Sequence, residues 1–134
     1  MIVVDTNIIA YLWMPGSHTS QVEGVLQKDS DWAAPLLWRS ELRNVLAGYI
    51  RRNLMTLDIA MQIMQEAESQ MAGKEYPVAS KHVLNLVKNS ESSAYDCEFV
   101  ALAEELSVPL VTTDKKILAE FPSIAITVDQ FRAS

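Results

Sequence analysis

Two short apolar segments of the sequence each run into an aspartate. The segment "MIVVDTN" leads into Asp5, and "PLVTTD" leads through Thr112 and Thr113 to Asp114. An ionised carboxylate at the end of a buried strand is costly unless a hydrogen bond or a cation compensates it. Each aspartate could therefore cap the helix that follows it, or the two could meet and share a cation.

Two further acids lie beside apolar helix faces. Asp96 shares a face with Phe99, Val100 and Ala103, because residues three, four and seven positions apart align on a helix. Glu41 lies at the border of an apolar stripe on the preceding long helical segment. An acid in a first helical turn is also stabilised by the helix dipole, and Glu41 could simply be solvated. If the four acids meet, oxygen ligands of this kind suit Mg²⁺ or Mn²⁺ rather than zinc.

Length and composition favour one soluble domain, residues 1–134. The net charge is −6, and the four acids carry four of those charges, so the charge permits a nucleic-acid partner without indicating one. The single cysteine, Cys97, excludes an internal disulfide and is typical of a small buried side chain. No membrane-length apolar run or basic signal-peptide start is present, so we expect a cytoplasmic protein.

Apolar strands alternate with helical segments along the chain. Strands are predicted at residues 2–5, 32–35, 109–113 and 124–128, and helices at 6–13, 17–30, 37–53, 56–71, from 80 onward, 93–106 and 115–121. Residues 75–79 are predicted as a loop, and Ser80 as the cap of the next helix. This alternation predicts a three-layer α/β/α fold with a central parallel sheet of four or five short strands. Ligands of such sheets bind at the carboxyl ends of the strands, where Asp5 and Asp114 lie.

Three motifs carry a family resemblance that spans essentially the whole chain. "VVDTN" at the start, "SELRNVL" on the long helix and "SAYDCEFVALAEELSVPLVTTD" near the end resemble the PIN-domain nuclease family, especially the VapC-type toxin ribonucleases. The last motif is the most specific, since an acidic helix position, an apolar helix and a Pro-led strand ending in Asp follow one another. The resemblance implies the PIN-like fold and a divalent-metal site at the carboxyl edge of its sheet.

The family's acidic residues fall on the four positions found from the sequence pattern. The resemblance assigns metal binding and catalysis to Asp5, Glu41, Asp96 and Asp114, with Mg²⁺ or Mn²⁺ as cofactor. Neighbouring hydroxyl and amide groups would orient the carboxylates or the attacking water: Thr6, Asn7, Thr112 and Thr113, of which Asn7 and Thr112 are preferred. Lys115 and Lys116 follow Asp114 where some family members have another acid, so the number of ions, one or two, stays open.

The implied function is hydrolysis of RNA phosphodiester bonds by a metal-activated water. A toxin of this class is held by an antitoxin protein and commonly forms a homodimer. Met61, Met64 and Met71 form a row that could serve a dimer contact or simply pack into the core.

Other functions stay open on the sequence alone. A PIN-fold module could bind RNA or protein without cutting, and another Mg-dependent phosphate-handling α/β enzyme is a second alternative. The D-x-D of dehalogenase-type phosphatases is absent, and no glycine-rich nucleotide-binding turn is present. His18 and His82 are interpreted as solvated rather than catalytic. Six basic residues could contact phosphates or lie in solvent: Arg39, Arg43, Arg51, Arg52, Lys115 and Lys116.

Overall fold

The computed structural model describes all residues, 1–134, and contains one five-stranded sheet. The strands are β1 (Ile2–Val4), β2 (Trp32–Pro35), β3 (Glu75–Tyr76), β4 (Leu110–Val111) and β5 (Ala125–Ile126). They lie in the order β3-β2-β1-β4-β5, and every neighbouring pair is parallel. The predicted parallel α/β fold is confirmed.

Eight helices connect and flank the strands. They are α1 (Thr6–Trp13), α2 (Thr19–Lys28), α3 (Leu37–Arg51), α4 (Leu57–Met71), α5 (Ser80–Lys88), α6 (Ala94–Leu106), α7 (Lys115–Glu120) and α8 (Val128–Ala133). Helix α6 packs against β1, β2 and β4 and is covered by α5, while α3 and α4 contact β2 and each other. Helix α1 packs against α2, α3 and α4, which brings its first turn beside α3.

Strand β1 is the centre of the sheet and the centre of the core. Val3 is in register with Ala33 of β2 on one side and with Leu110 of β4 on the other. All three residues of β1 are buried, as expected for a parallel strand covered on both faces. The residue that follows β1 therefore emerges between the ends of two neighbouring strands.

The segment around residue 75 differs from its predicted loop. Glu75 and Tyr76 form the edge strand β3, paired with Ala34 and Pro35 of β2. Two residues are too short to give a periodic pattern, and the proline that follows is typical of a sheet edge. The predicted cap at Ser80 is also wrong: Ser80 is the first residue of α5, whose N-cap makes no side-chain hydrogen bond.

The end of the chain also differs from its predicted strand. The predicted strand over 124–128 is shorter in the structure, Ala125–Ile126, and Thr127 is instead the N-cap of α8. Thr127 and Gln130 form a reciprocal capping box, in which each side chain accepts from the other residue's backbone N–H. The β-branched run in this region favoured a strand, but the capping pair sets the boundary.

Candidate functional site

The four predicted acids meet in one pocket at the carboxyl edge of the sheet. This acidic pocket has a volume of about 400 Å³ and is lined by Asp5, Glu41, Asp96 and Asp114, together with Thr6, Asn7, Leu37, Ser40, Asn44, Val45 and Tyr95. No lysine or arginine lines it. The sheet order explains the meeting of the first and last acid, because β1 and β4 are neighbours that end together.

Asp5 is fixed by two hydrogen bonds as it leaves β1. Its Oδ1 accepts from the Thr6 backbone N–H at 2.8 Å, which caps α1. Its Oδ2 accepts from the hydroxyl of Thr112 at 2.7 Å. The Thr112 oxygen in turn accepts from the Asp114 backbone N–H at 3.0 Å. Thr112 thus joins the two strand-end aspartates through one buried hydroxyl.

Asp114 also begins a helix. Its Oδ1 accepts from the backbone N–H groups of Lys116 and Ile117, at 2.9 and 3.1 Å, and so caps α7. Helix capping and membership of the acidic pocket, which the sequence posed as alternatives for Asp5 and Asp114, therefore both hold.

Asp96 and Glu41 reach the pocket from helices. Asp96 lies in the first turn of α6, and its backbone N–H donates to the N-cap hydroxyl of Ser93 at 3.1 Å. Glu41 lies in α3, and its Oε1 accepts from the hydroxyl of Thr6 at 2.6 Å. Thr6 therefore gives its amide to Asp5 and its hydroxyl to Glu41, so one residue positions two of the four carboxylates.

The electrostatics of the pocket are unfavourable to four ionised acids. Burial raises the pKa of Asp5, hydrogen bonds from Thr112 and Thr6 oppose that rise, and the charges of Asp96 and Asp114 add to it. Burial likewise raises the pKa of Glu41 and of Asp96, and neighbouring acids add to both rises. The hydrogen bond from Thr6 opposes the rise at Glu41, and Ser93 and the charge of Lys116 oppose it at Asp96. None of the four carboxylates belongs to an ion pair. A bound cation is the natural compensation for such a site.

The donor set fits a hard divalent ion. All four side chains offer carboxylate oxygen, the ligand type that Mg²⁺ and Mn²⁺ prefer. As the side chains stand, no group of three or more acidic, histidine or cysteine residues is close enough to hold one ion. Glu41 Oε2 and Asp114 Oδ2 accept no hydrogen bond from the protein, so these oxygens can turn toward an ion.

The predicted supporting residues divide into two that bond to the acids and two that do not. Thr112 and Thr6 donate their hydroxyls to Asp5 and Glu41, respectively. Asn7 lines the acidic pocket, but its side chain is exposed and makes no hydrogen bond within the protein. Thr113 lines a neighbouring pocket instead. The bonded pair is thus Thr6 and Thr112, rather than the preferred Asn7 and Thr112.

Sequence reasoning did not single out three further polar residues of the pocket, Ser40, Asn44 and Tyr95. The available signal was position, since Ser40 and Asn44 flank Glu41 on α3 and Tyr95 precedes Asp96. Glu98, two residues after Asp96 on α6, is half-buried. Burial raises its pKa, and its charge contributes to raising the pKa of Glu41.

Several of the other candidate residues have structural partners. Arg39 pairs with Glu68 at 2.8 Å and with Glu75 at 2.6 Å, so its guanidinium is occupied within the protein. The Arg52 guanidinium lies over the Tyr49 ring, 5.0 Å from the ring centroid.

The two histidines lie outside the acidic pocket. His82 pairs with Glu104 at 2.8 Å. His18 stacks on Tyr11 with ring centroids 4.3 Å apart. Neither imidazole lines the pocket with the acids, which agrees with their interpretation as non-catalytic.

Residues proposed for packing differ in their burial. Cys97 is fully buried, as its interpretation as a small apolar side chain requires. Met71 is fully buried, whereas Met61 is 60% exposed, so the three methionines do not form one exposed row. None of the helices combines the length and the apolar character that crossing a membrane requires.

Comparison with known proteins gives concordant matches along the chain. The family model described as PIN domain matches residues 2–123. Ribonuclease VapC3 of Pyrobaculum aerophilum is 29% identical over 126 residues, which cover 92% of this chain and 96% of that protein. The crystal structure of FitAcB from Neisseria gonorrhoeae matches with a TM-score of 0.75 at 19% identity, covering 96% of this chain and 98% of that chain. A toxin-antitoxin complex from Klebsiella pneumoniae matches with a TM-score of 0.69 at 17% identity, with the same coverage of 96% and 98%.

Proposed function

The chain belongs to the PIN domain family, and from this premise we propose that it is an endoribonuclease dependent on Mg²⁺ or Mn²⁺ and the toxin of a toxin–antitoxin pair. The similarity to a protein named as a VapC ribonuclease, over nearly the full length of both chains, supports the reaction class. The proposed substrate is RNA, and the proposed reaction is hydrolysis of a phosphodiester bond in the cytoplasm.

One observation carries the proposal. Four carboxylates from four different elements line a single pocket that contains no lysine or arginine. Helix capping does not explain the presence of all four acids in the pocket. The side chains of Asp96 and Glu41 cap no helix, and the pKa values of both are raised. A site that gathers negative charge and forms no ion pair with a lysine or arginine is suited to an added cation and, through that cation, to a phosphate.

The hydrogen bonds of the four carboxylates indicate that they differ in role in the proposed site. The chemistry that a bound divalent ion would supply is a more acidic water for attack on phosphorus and neutralisation of charge on the phosphate oxygens. Asp5, Glu41, Asp96 and Asp114 would hold it. Both carboxylate oxygens of Asp5 accept hydrogen bonds, from Thr6 and Thr112, so the orientation of this side chain is fixed. Glu41, Asp96 and Asp114 would supply the adjustable oxygens, with Thr6 limiting the movement of Glu41.

The decisive experiment is an RNA-cleavage assay with and without Mg²⁺. We expect Asp96→Asn to lower the cleavage rate by about 100-fold or more, because one ligand of the charge-stabilising centre is lost. Glu105→Gln is the matched control, since Glu105 is an exposed acid on the same helix, outside the pocket. Cleavage that continues undiminished in EDTA would reject the metal mechanism. No cleavage at all, with intact RNA binding, would instead identify a non-catalytic PIN-fold module.

The toxin assignment has a separate test. The structural match described as a toxin-antitoxin complex supports a protein partner for this chain. We expect expression of the chain to arrest growth, and co-expression of its antitoxin to restore it. Growth arrest that persists in Asp96→Asn would exclude RNA cleavage as its cause. We further propose a homodimer, which analytical ultracentrifugation of the purified chain would detect.

A further inference from the structure

A second pocket adjoins the acidic pocket and has a different chemistry. This aromatic pocket has a volume of about 570 Å³, and its walls include Tyr11, His18, Tyr49, Met14, Leu54 and Ile59. No acidic residue, lysine or arginine lines it. Leu54 is 65% exposed and Ile59 49% exposed, so apolar side chains there are open to a ligand.

The two pockets are continuous along two helices. Asn7 and Val45 line both of them. On α1, Tyr11 lies four residues, or about one helical turn, beyond Asn7, a rise of about 6 Å. On α3, Glu41, Val45 and Tyr49 follow one another at intervals of one turn, which align on one face. A ligand that extended from the carboxylates along these helices would reach the aromatic pocket.

The aromatic pocket offers surfaces that suit a flat ring. Tyr11 and His18 are stacked, with ring centroids 4.3 Å apart and an interplanar angle of 22°. The Asn7 side chain, free of hydrogen bonds within the protein, stands at the junction with both a donor and an acceptor. Apolar walls, stacked aromatic rings and a polar group at one end together match a nucleobase attached to a polar ribose.

We propose that the aromatic pocket binds the base of the nucleotide adjoining the phosphate held at the acidic pocket. The proposal rests on the proposed ribonuclease function and extends it to a residue-level substrate contact. Tyr11 and His18 provide the stacking surface, and Asn7 contacts the base edge or the ribose. Stacking tolerates every base, so this contact supplies affinity and register rather than strict sequence choice.

The test measures binding without metal and without cleavage. NMR titration of the chain in EDTA uses adenosine and uridine as probes and ribose as the sugar control, because none of these carries a phosphate that the acids would repel. Tyr11→Leu keeps apolar volume but removes the ring, and His18→Ala removes the second ring. Their matched controls are Tyr76→Leu and His82→Ala, which change the same residue types outside the aromatic pocket.

We expect both nucleosides, but not ribose, to shift the resonances of the aromatic pocket. Tyr11→Leu should weaken nucleoside binding about 5-fold or more, as loss of a stacking ring does, while the controls leave it unchanged. Equal binding of ribose and nucleosides would overturn the proposal. So would shifts caused only by an apolar probe such as acetyl-leucine amide, which would assign the pocket to a protein partner.

The outcomes separate this proposal from the function on which it rests. A chain that cuts RNA but binds nucleosides no better than ribose keeps its ribonuclease function and loses the base pocket. A chain that binds nucleosides through Tyr11 but cuts no RNA keeps the base pocket and loses the ribonuclease function.

Discussion

Helix α3 carries two charged side chains, two residues apart, whose surroundings are opposite. Arg39 faces two acids, Glu68 and Glu75, and makes hydrogen bonds of 2.6–2.8 Å with them. Glu41 faces other acids and has only the hydroxyl of Thr6 as a bonded partner. The first region is a closed set of opposite charges that ties α3 to α4 and β3. The second is an open set of like charges.

The pKa shifts of two glutamates express this difference. The Arg39 hydrogen bond lowers the pKa of Glu75, and the indole N–H of Trp38 lowers it further. Burial raises the pKa of Glu41, and its acidic neighbours raise it further. Acids with partners stabilise the folded chain, whereas acids without an ion-pair partner are the feature on which the proposed ion site rests. This contrast can be tested from both sides.

The largest expected effect is that of a divalent ion on the acidic pocket. Mg²⁺ or Mn²⁺ at 100 times its dissociation constant should stabilise the chain by about 2.7 kcal/mol, because it binds the folded state alone. Thermal unfolding with increasing Mg²⁺, followed by EDTA, measures this gain and its reversal. An equal concentration of K⁺ is the control. A thermal-unfolding midpoint that does not change with Mg²⁺ would show that the four acids do not bind this ion.

The next effect belongs to the closed set of charges. Glu75→Ala should destabilise the chain by about 2 kcal/mol, because the buried indole N–H of Trp38, 2.8 Å from Glu75, loses its acceptor. Urea denaturation measures this loss, with Glu66→Ala on exposed α4 surface as the control. The cost should shrink on acidification, since a lowered pKa gives stability that is lost as the pH falls. An unchanged free energy of unfolding would show that the interactions of Glu75 with Arg39 and Trp38 contribute nothing to stability.

A smaller effect is expected at the hydroxyl that joins the two aspartates. Thr112→Val keeps the shape of the side chain but leaves Asp5 with one bonded oxygen fewer, at a cost of about 1 kcal/mol. RNA cleavage should fall by about 10- to 100-fold, as it does when a residue orienting a metal ligand is lost. Thr113→Val is the matched control, because its hydroxyl bonds to neither aspartate. Equal losses in both variants would remove Thr112 from the site.

The smallest expected effect is on the stability of the metal-free Asp96→Asn variant, in which the repulsion between Asp96 and the neighbouring acids is removed. The pKa of Asp96 is raised above its ordinary value of 3.8, so its favourable contribution to stability is complete below that value and is lost as the pH rises. The variant avoids this loss and should be more stable than the parent by about 0.5 kcal/mol at pH 7, a modest figure because the group is half-exposed. The difference in unfolding free energy should vanish as the pH falls below 3.8. A destabilised variant at pH 7 would mean that the attraction between Lys116 and Asp96 outweighs the cost of burial and the repulsion by Asp114.

The sequence was informative about the open set of charges and silent about the closed one. Asp5 and Asp114 end apolar strands, and a parallel sheet brings such ends to one edge, so their meeting follows from the pattern alone. Asp96 was detectable from the apolar residues on its helix face. Glu41 needed the family resemblance, because its border position was equally consistent with a solvated acid.

Contacts between distant segments explain what the sequence could not predict. One of the two acidic partners of Arg39, Glu75, lies in β3, a two-residue strand too short to show any period. The bond from Thr6 to Glu41 depends on how α1 and α3 cross, which no local pattern specifies. Helix α8 was not predicted from the sequence, because its capping box begins within a β-branched run that favours a strand. Local propensity located most elements, while tertiary packing decided which side chains became partners.

The way the strand-end aspartates are secured has a practical consequence. Backbone amides and one threonine hydroxyl, all supplied by the chain, hold Asp5 and Asp114 in place. These bonds need no ion, so we expect the polypeptide to fold before it binds the proposed ion. Chelation of the ion should therefore leave the chain folded but without RNA-cleavage activity, and adding the ion back should restore that activity.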